Sequence, residues 1–141
     1  MVTADYQRIF PEAKTTNYLL AVSLQEKKRQ AGAVEILYIN QGKVLEASTS
    51  NFFLVFGNKI VTPKAGVLSG ITREKVIKLA KQAGYKVEER DIKIAEIKKA
   101  TEAFITATNK DVCPIIKIDG QKIGTGRVGE VTKKLLNAYR E

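Results

Sequence analysis

Histidine is absent from this 141-residue chain, and Cys113 is its only thiol. No disulfide can form within the chain, no Cys/His zinc site can be built, and no triad with a histidine base can be assembled from it. Cys113 lies in the apolar strand pattern "DVCPIIKI" and reads as a small core residue rather than a nucleophile. Long apolar runs are also missing: nothing approaches the length needed to span a bilayer, and "MVTADYQRIF" lacks the basic start and apolar stretch of a signal peptide. A cytosolic location without a membrane partner is the expectation. Any catalysis must rest on Lys, Tyr, Asp, Glu, backbone amides or a cofactor.

With 44% hydrophobic and 28% charged residues, the composition suits one globular domain over residues 1–141. The net charge of +9 favours anionic partners, which brings nucleic acid into consideration. The pattern argues against it. Lysines are scattered through "EKKRQ", "KLAKQ" and "VTKKLL" with acids interleaved, and neither an RNA-recognition aromatic signature nor a zinc finger occurs, so a solvated basic surface is expected.

Four segments have helical periodicity. "TTNYLLAVSLQEKKRQAG" opens with Thr15 or Thr16 as a candidate cap and closes at Gly32, and "ITREKVIKLAKQAG" stops at Gly84. "IAEIKKA" is short, while "VGEVTKKLLNAY" places Val128, Val131, Leu135, Leu136 and Tyr139 on one stripe for docking. "EILYINQGKVLEA" and "NFFLVFGNKIVTP" each read as two strands about a Gly-containing turn, and "CPIIKIDGQKIG" does so about Asp119-Gly120. "YKVEERDI" and "EAFITAT" add one strand each. The order predicts a mixed α/β or α+β fold with largely antiparallel sheets and packed helices.

Glu46, in "LEASTSNFFLV", is a lone acid at the mouth of a buried strand with hydroxyl residues behind it, and something polar must meet it there. Three loop motifs offer chemistry. In "PKAGVLSGITREKV" a Gly-containing loop delivers Ile71 and Thr72 into the first turn of a helix, where free N–H groups suit a phosphate, although "SGIT" also reads as an ordinary helix start. The strand end Thr106, Ala107, Thr108 and Asn109 can bind phosphate or carboxylate oxygens or simply form a turn. Lys14 stands before a helix with Tyr18 one turn on. A lysine is normally solvated, but one held in a pocket can form a Schiff base with an aldehyde. Together, a lysine, a carboxylate, a tyrosine and a phosphate cradle make a minimal kit for pyridoxal phosphate: an amine for the aldehyde, amides and hydroxyls for the phosphate, and an acid to keep the ring nitrogen protonated.

The motifs "AKTTNYLLA", "EASTSNFFLV", "LSGITREKV" and "ITATNKDVCPI", in this order and spacing, resemble the class IV aminotransferases, the fold-type IV pyridoxal phosphate enzymes. That family includes branched-chain aminotransferases, D-amino acid aminotransferases and 4-amino-4-deoxychorismate lyases. The resemblance runs from about Thr3 to the C-terminal helix. It implies that Lys14 is the Schiff-base lysine and proton shuttle, that Tyr18 bonds the cofactor's phenolic oxygen, and that Glu46 pairs with the pyridinium nitrogen. It further implies that Leu68 packs on the ring, that Ile71, Thr72 and Thr108 hold the phosphate, and that Ala107, Thr108 and Asn109 receive the substrate carboxylate. Thr49 would line the site.

The resemblance reaches only the family's second, larger domain, so the N-terminal small domain is expected to be absent. That half carries a phosphate-binding arginine, substrate-selecting side chains and part of the dimer interface in the family. Pyridoxal 5′-phosphate is the implied cofactor and amino acids with 2-oxo acids are the implied substrates, with a separate N-terminal domain or a homodimer partner to complete the site. "KTTNYL" and "EASTSNFF" tilt the expected reaction toward branched-chain L-amino acids. The D-amino acid and lyase chemistries use nearly the same residues, and a cofactor-binding domain without turnover is a further alternative.

Overall fold

The computed structural model describes residues 1–141 and shows three sheets and flanking helices. In chain order the elements are β1 (Val2–Asp5), α1 (Leu19–Ser23), α2 (Gln25–Gln30), β2 (Ile36–Asn40), β3 (Lys43–Ala47), β4 (Asn51–Phe56), β5 (Lys59–Thr62), α3 (Ile71–Gln82), β6 (Lys86–Glu89) and β7 (Ile92–Lys93). A 3₁₀ turn (Ile94–Lys99), β8 (Glu102–Ala107), β9 (Asp111–Ile115), β10 (Lys117–Ile118), β11 (Gln121–Lys122) and α4 (Glu130–Arg140) follow. The larger sheets have the orders β1-β2-β3-β7 and β6-β5-β4-β8-β9, with β10-β11 a separate hairpin. Pairing is antiparallel except between β1 and β2 and between β5 and β6.

β4 explains the layering. Its side chains alternate across the sheet, and both faces are covered, which is why "NFFLVF" reads as a continuous apolar run. Phe52 and Leu54 join Leu37, Val44, Ile92 and Ile105 in a core shared by the two large sheets. Phe53 and Val55 face the other way, toward Val76, Ile77 and Ala80 of α3 and Leu135 of α4. The rings of Phe53 and Phe104 stack there with centroids 4.7 Å apart. Each such fully buried side chain contributes about 1.5–3 kcal/mol relative to leaving it in water. A smaller cluster of Val2, Ile36, Tyr38, Leu45 and Val67, with Leu20 and Leu24 against it, seats the short helices on β1 and β2.

The structure departs from the sequence expectations in four places. The first helix begins at Leu19 rather than at Thr15 or Thr16, with Tyr18 as an N-cap that provides no side-chain bond, and it breaks at Leu24. Ser23 Oγ donates 2.7 Å to the Leu20 carbonyl, the local bond by which serine competes with helical continuation. "YKVEERDI" is divided between β6 and β7 in different sheets, because Arg90 turns away to bond Glu88 and Glu96. "IAEIKKA" forms a 3₁₀ turn, and α4 starts at Glu130, leaving Val128 outside it and 40% exposed. Cys113 on β9 is half-buried against the core between the sheets.

Candidate functional site

Four connections converge on one cavity: the β1–α1 segment, the β3–β4 loop where the chain passes between the large sheets, the loop into α3, and the end of β8. Its volume is about 330 Å³. Lys14, Tyr18, Glu46, Thr49, Leu68, Ile71, Thr72, Ala107 and Thr108 all line it. Expected site residues from 14 to 108 thus meet in one place, and only Asn109 falls outside the lining, being carried away in the exposed turn after β8.

Glu46 is buried at the base of this cavity, and the polar partner that its position demands is Arg8. Arg8 Nε donates to Glu46 Oε1 at 2.7 Å, while the Leu68 N–H donates to Oε2 at 3.0 Å. Burial pushes the Glu46 carboxyl above the usual carboxylate range, and the Leu68 amide and Arg8 offset part of that rise. The other guanidinium nitrogens bind the Ala13 carbonyl at 2.9 Å and the Pro11 carbonyl, so the same arginine holds the loop that leads into Lys14. Each carboxylate oxygen has a second lone pair, which leaves Glu46 able to accept from a ligand as well.

At the opposite side, α3 starts from Gly70 without a side-chain cap, and the first intrahelical bond is from Glu74 N–H to the Gly70 carbonyl at 3.0 Å. The amides of Ile71, Thr72 and Arg73 precede that bond and are the helix's open donors. Asn51 fixes the approach: its Nδ2 donates 2.6 Å to the Leu68 carbonyl, and a Cβ at position 70 would lie 2.5 Å from Asn51 Oδ1. Thr72 Oγ1 lies 3.5 Å from the Tyr139 hydroxyl of α4. Lys14 and Tyr18 are exposed at the mouth, and none of the chain's ion pairs includes Lys14.

Thr106 is the strongest sign that this cavity is built for a polar ligand. Thr106 lines the cavity, and its hydroxyl is buried with no hydrogen-bond partner in the chain. An orphaned buried hydroxyl costs about 1–3 kcal/mol unless something bonds it. A primary amine at the mouth, an acid at the base, and amides with hydroxyls between them form a donor set that fits pyridoxal phosphate.

Arg8, Ser48, Ser50, Asn51 and Gly70 also line the cavity and were not among the expected site residues. The three hydroxyls behind Glu46 were visible in the sequence, but the arginine was not tied to it. The available signal was physical: a buried strand acid requires a counter-ion, and Arg8 is the basic residue closest before Lys14.

Residues 1–118 match the family model described as amino-transferase class IV. The D-alanine aminotransferase of Bacillus licheniformis is 37% identical over 142 residues, covering 99% of this chain and 50% of that protein. The branched-chain-amino-acid aminotransferase of Pseudomonas aeruginosa is 39% identical over 124 residues, covering 86% of this chain and 40% of its own. Among solved structures, the Thermobaculum terrenum branched-chain amino acid aminotransferase in its PLP form superposes with a TM-score of 0.90 at 33% identity, over 99% of this chain and 49% of the other. A further branched-chain amino acid aminotransferase, complexed with N-(5′-phosphopyridoxyl)-L-glutamate, gives a TM-score of 0.92 at 32% identity, over 99% and 50%. The chain therefore spans about half the length of the curated relatives it matches.

Proposed function

Because the chain belongs to the class IV aminotransferase family, we propose that it is the cofactor-holding half of an enzyme that moves amino groups between amino acids and 2-oxo acids. The convergence of Lys14, Glu46, Leu68, Thr72 and Thr108 on one cavity carries this reading. Pyridoxal phosphate would supply an aldehyde for the amino group and a protonated ring that withdraws electrons from the substrate α-carbon. The chain's own residues do the rest. Lys14 would provide the amine that holds the aldehyde, and the same amine, when free, would serve as the base and acid that moves the proton of the bound amino acid. Glu46, kept in place by Arg8 and the Leu68 amide, would pair with the ring nitrogen. Tyr18 would donate to the ring oxygen, and Leu68 would pack on the ring. The open amides of Ile71 and Thr72, with the Thr72 and Thr108 hydroxyls, would bind the phosphate. Ala107 and Asn109, with Thr108, are assigned to the substrate carboxylate; Ala107 and Thr108 line the cavity, and Asn109 follows them in the exposed turn.

Branched-chain L-amino acids are the proposed substrates, supported by the branched-chain relatives among both sequences and structures. The D-alanine relative keeps D-amino acids as the second choice. Turnover is proposed for an assembly in which a second polypeptide, either a separate small domain or another copy of this chain, closes the mouth. The exposure of Tyr18 at 42% and of Ile71 at 86%, beside open solvent, supports that need, and it equally favours a chain that binds cofactor without turning over alone.

The test is borohydride reduction after incubation with pyridoxal phosphate, followed by peptide mass mapping. The expected result is one pyridoxyl phosphate mass on Lys14, lost in Lys14→Ala and spectrally altered in Glu46→Ala. A label absent from Lys14, or spread evenly over surface lysines, would overturn the reading.

A further inference from the structure

A second buried acid lies behind the cavity wall without lining it. Glu35, just before β2, is 2% exposed. Its carboxylate accepts from the Ser48 hydroxyl, from Thr49 Oγ1 at 2.5 Å and from Ser50 Oγ at 3.2 Å, so all three hydroxyls of the β3–β4 loop are bonded to one group. Lys110 reaches into the same cluster from the turn between β8 and β9. Its Nζ donates 2.8 Å to Thr49 Oγ1 and lies 3.3 Å from Glu35 Oε2. That turn also carries Thr108, which joins Thr49 in the cavity lining.

A carboxylate can only accept, and each hydroxyl has a single proton to give. The three protons therefore point at Glu35, and the hydroxyls turn lone pairs to their other neighbours. Thr49 uses one of these for Lys110. The ammonium balances the buried negative charge, so neither partner can be removed without leaving the other uncompensated. Burial raises the Glu35 carboxyl, but the Ser48 and Thr49 hydroxyls and Lys110 more than reverse this and leave it below the usual carboxylate range.

We propose that Glu35 and Lys110 are positioning residues whose ion pair locks the Ser48–Ser50 loop to the β8–β9 turn and so fixes the Thr49 backbone and Thr108 in the cavity wall, where Thr108 meets a phosphate-bearing ligand. The phosphate part of this rests on the function proposed above; the lock does not. Glu35→Gln is nearly isosteric, but its amide nitrogen replaces an acceptor with a donor and forces at least one hydroxyl to turn round. Lys110→Met keeps the stem and removes the charge.

The experiment uses the whole chain with Glu35→Gln, Lys110→Met and the double variant. Affinities for pyridoxal phosphate and for pyridoxal, which lacks the phosphate, are titrated by absorbance, and hydrogen–deuterium exchange of the unliganded chain is followed at residues 46–51 and 107–111. Each single variant should weaken pyridoxal phosphate about tenfold, leave pyridoxal within about twofold, and loosen both segments. The double variant should be no worse than the poorer single one. Loosening confined to the segment that carries the substitution, additive effects in the double variant, or equal loss for both ligands would overturn the proposal. If the parent chain binds neither ligand, the functional reading falls, and exchange alone decides the lock. Should Glu35→Gln fail to fold, Lys110→Met at the turn still gives the same readings.

Discussion

The two walls of the cavity are built differently. One wall is carried by strands: Glu46, the Ser48–Asn51 stretch and Thr106 are mostly buried, and nearly all of their polar atoms are bonded within the chain. The other is carried by loops and helix ends: Lys14, Tyr18 and Ile71 are exposed, and neither an ion pair nor a core contact fixes them. The acid end needs no rearrangement at the moment of binding, because Arg8 and the Leu68 amide already hold Glu46. The amine end lacks that support within this chain. The exposed side chains of Ile9, Phe10, Leu19 and Val22 lie on the segment that includes Lys14, so the unsupported wall and the apolar surface are the same stretch of chain.

If the strand wall is part of the fold, damaging it should destabilise the protein. Glu46→Ala strands the Arg8 guanidinium, whose side chain is 13% exposed, with only the Ala13 and Pro11 carbonyls as partners. Removing one member of a buried pair typically costs about 3–5 kcal/mol. The expected loss is about 3 kcal/mol in urea unfolding, given the carbonyls that remain. A loss below about 1 kcal/mol would mean that Arg8 rehydrates and that the wall is looser than drawn.

A smaller effect separates the two buried acids of this wall by pH. The folded-state pKa of Glu35 is depressed, so its contribution is present above the unfolded value of about 4.5 and is lost as pH falls through the folded pKa. Glu46 has the opposite sign. Its raised pKa makes the ionised group a cost at neutral pH, relieved as pH falls toward 4.5. Denaturation midpoints measured from pH 7 downward should therefore show the parent chain gaining on Glu46→Gln before pH 4.5 and losing its advantage over Glu35→Gln only below it. A tenfold difference in proton affinity between the folded and unfolded chain corresponds to about 1.4 kcal/mol, which sets the scale of the divergence. Parallel curves for the two variants would remove the distinction.

The sequence carried most of the architecture and the open wall. Hairpin turns at Gln41-Gly42 and Asp119-Gly120 were legible because all four residues adopt positive φ, the backbone that such pairs favour. Lys14, Tyr18, Ile71 and Thr72 were legible because they sit in short local motifs around helix starts. The support behind the strand wall was not. Arg8 and Glu46 are 38 residues apart, and Lys110 and Thr49 are 61 apart. Neither pairing follows from local spacing; both depend on sheet order. Glu35 reads as the polar start of a strand, and only the β3–β4 loop folding back over it turns it into a hub. The split of α1 from α2 was missed for a related reason: periodicity continues through Leu24, while a single Ser23 hydroxyl diverts the backbone.

The smallest effect bears on the open wall. Lys14→Ala removes an exposed side chain with no ion-pair partner, so stability should stay within about 0.5 kcal/mol of the parent. The same substitution should abolish the borohydride-fixed label on the cavity. That pairing of a silent fold and a lost ligand is what a wall without structural duties predicts. If Lys14→Ala instead unfolds the chain by more than about 1 kcal/mol, the 14–18 segment is packed in solution in a way the exposed amine does not suggest, and the contrast between the walls disappears. If stability and label both survive, another lysine reaches the aldehyde, and the amine end of the site must be sought elsewhere on the rim.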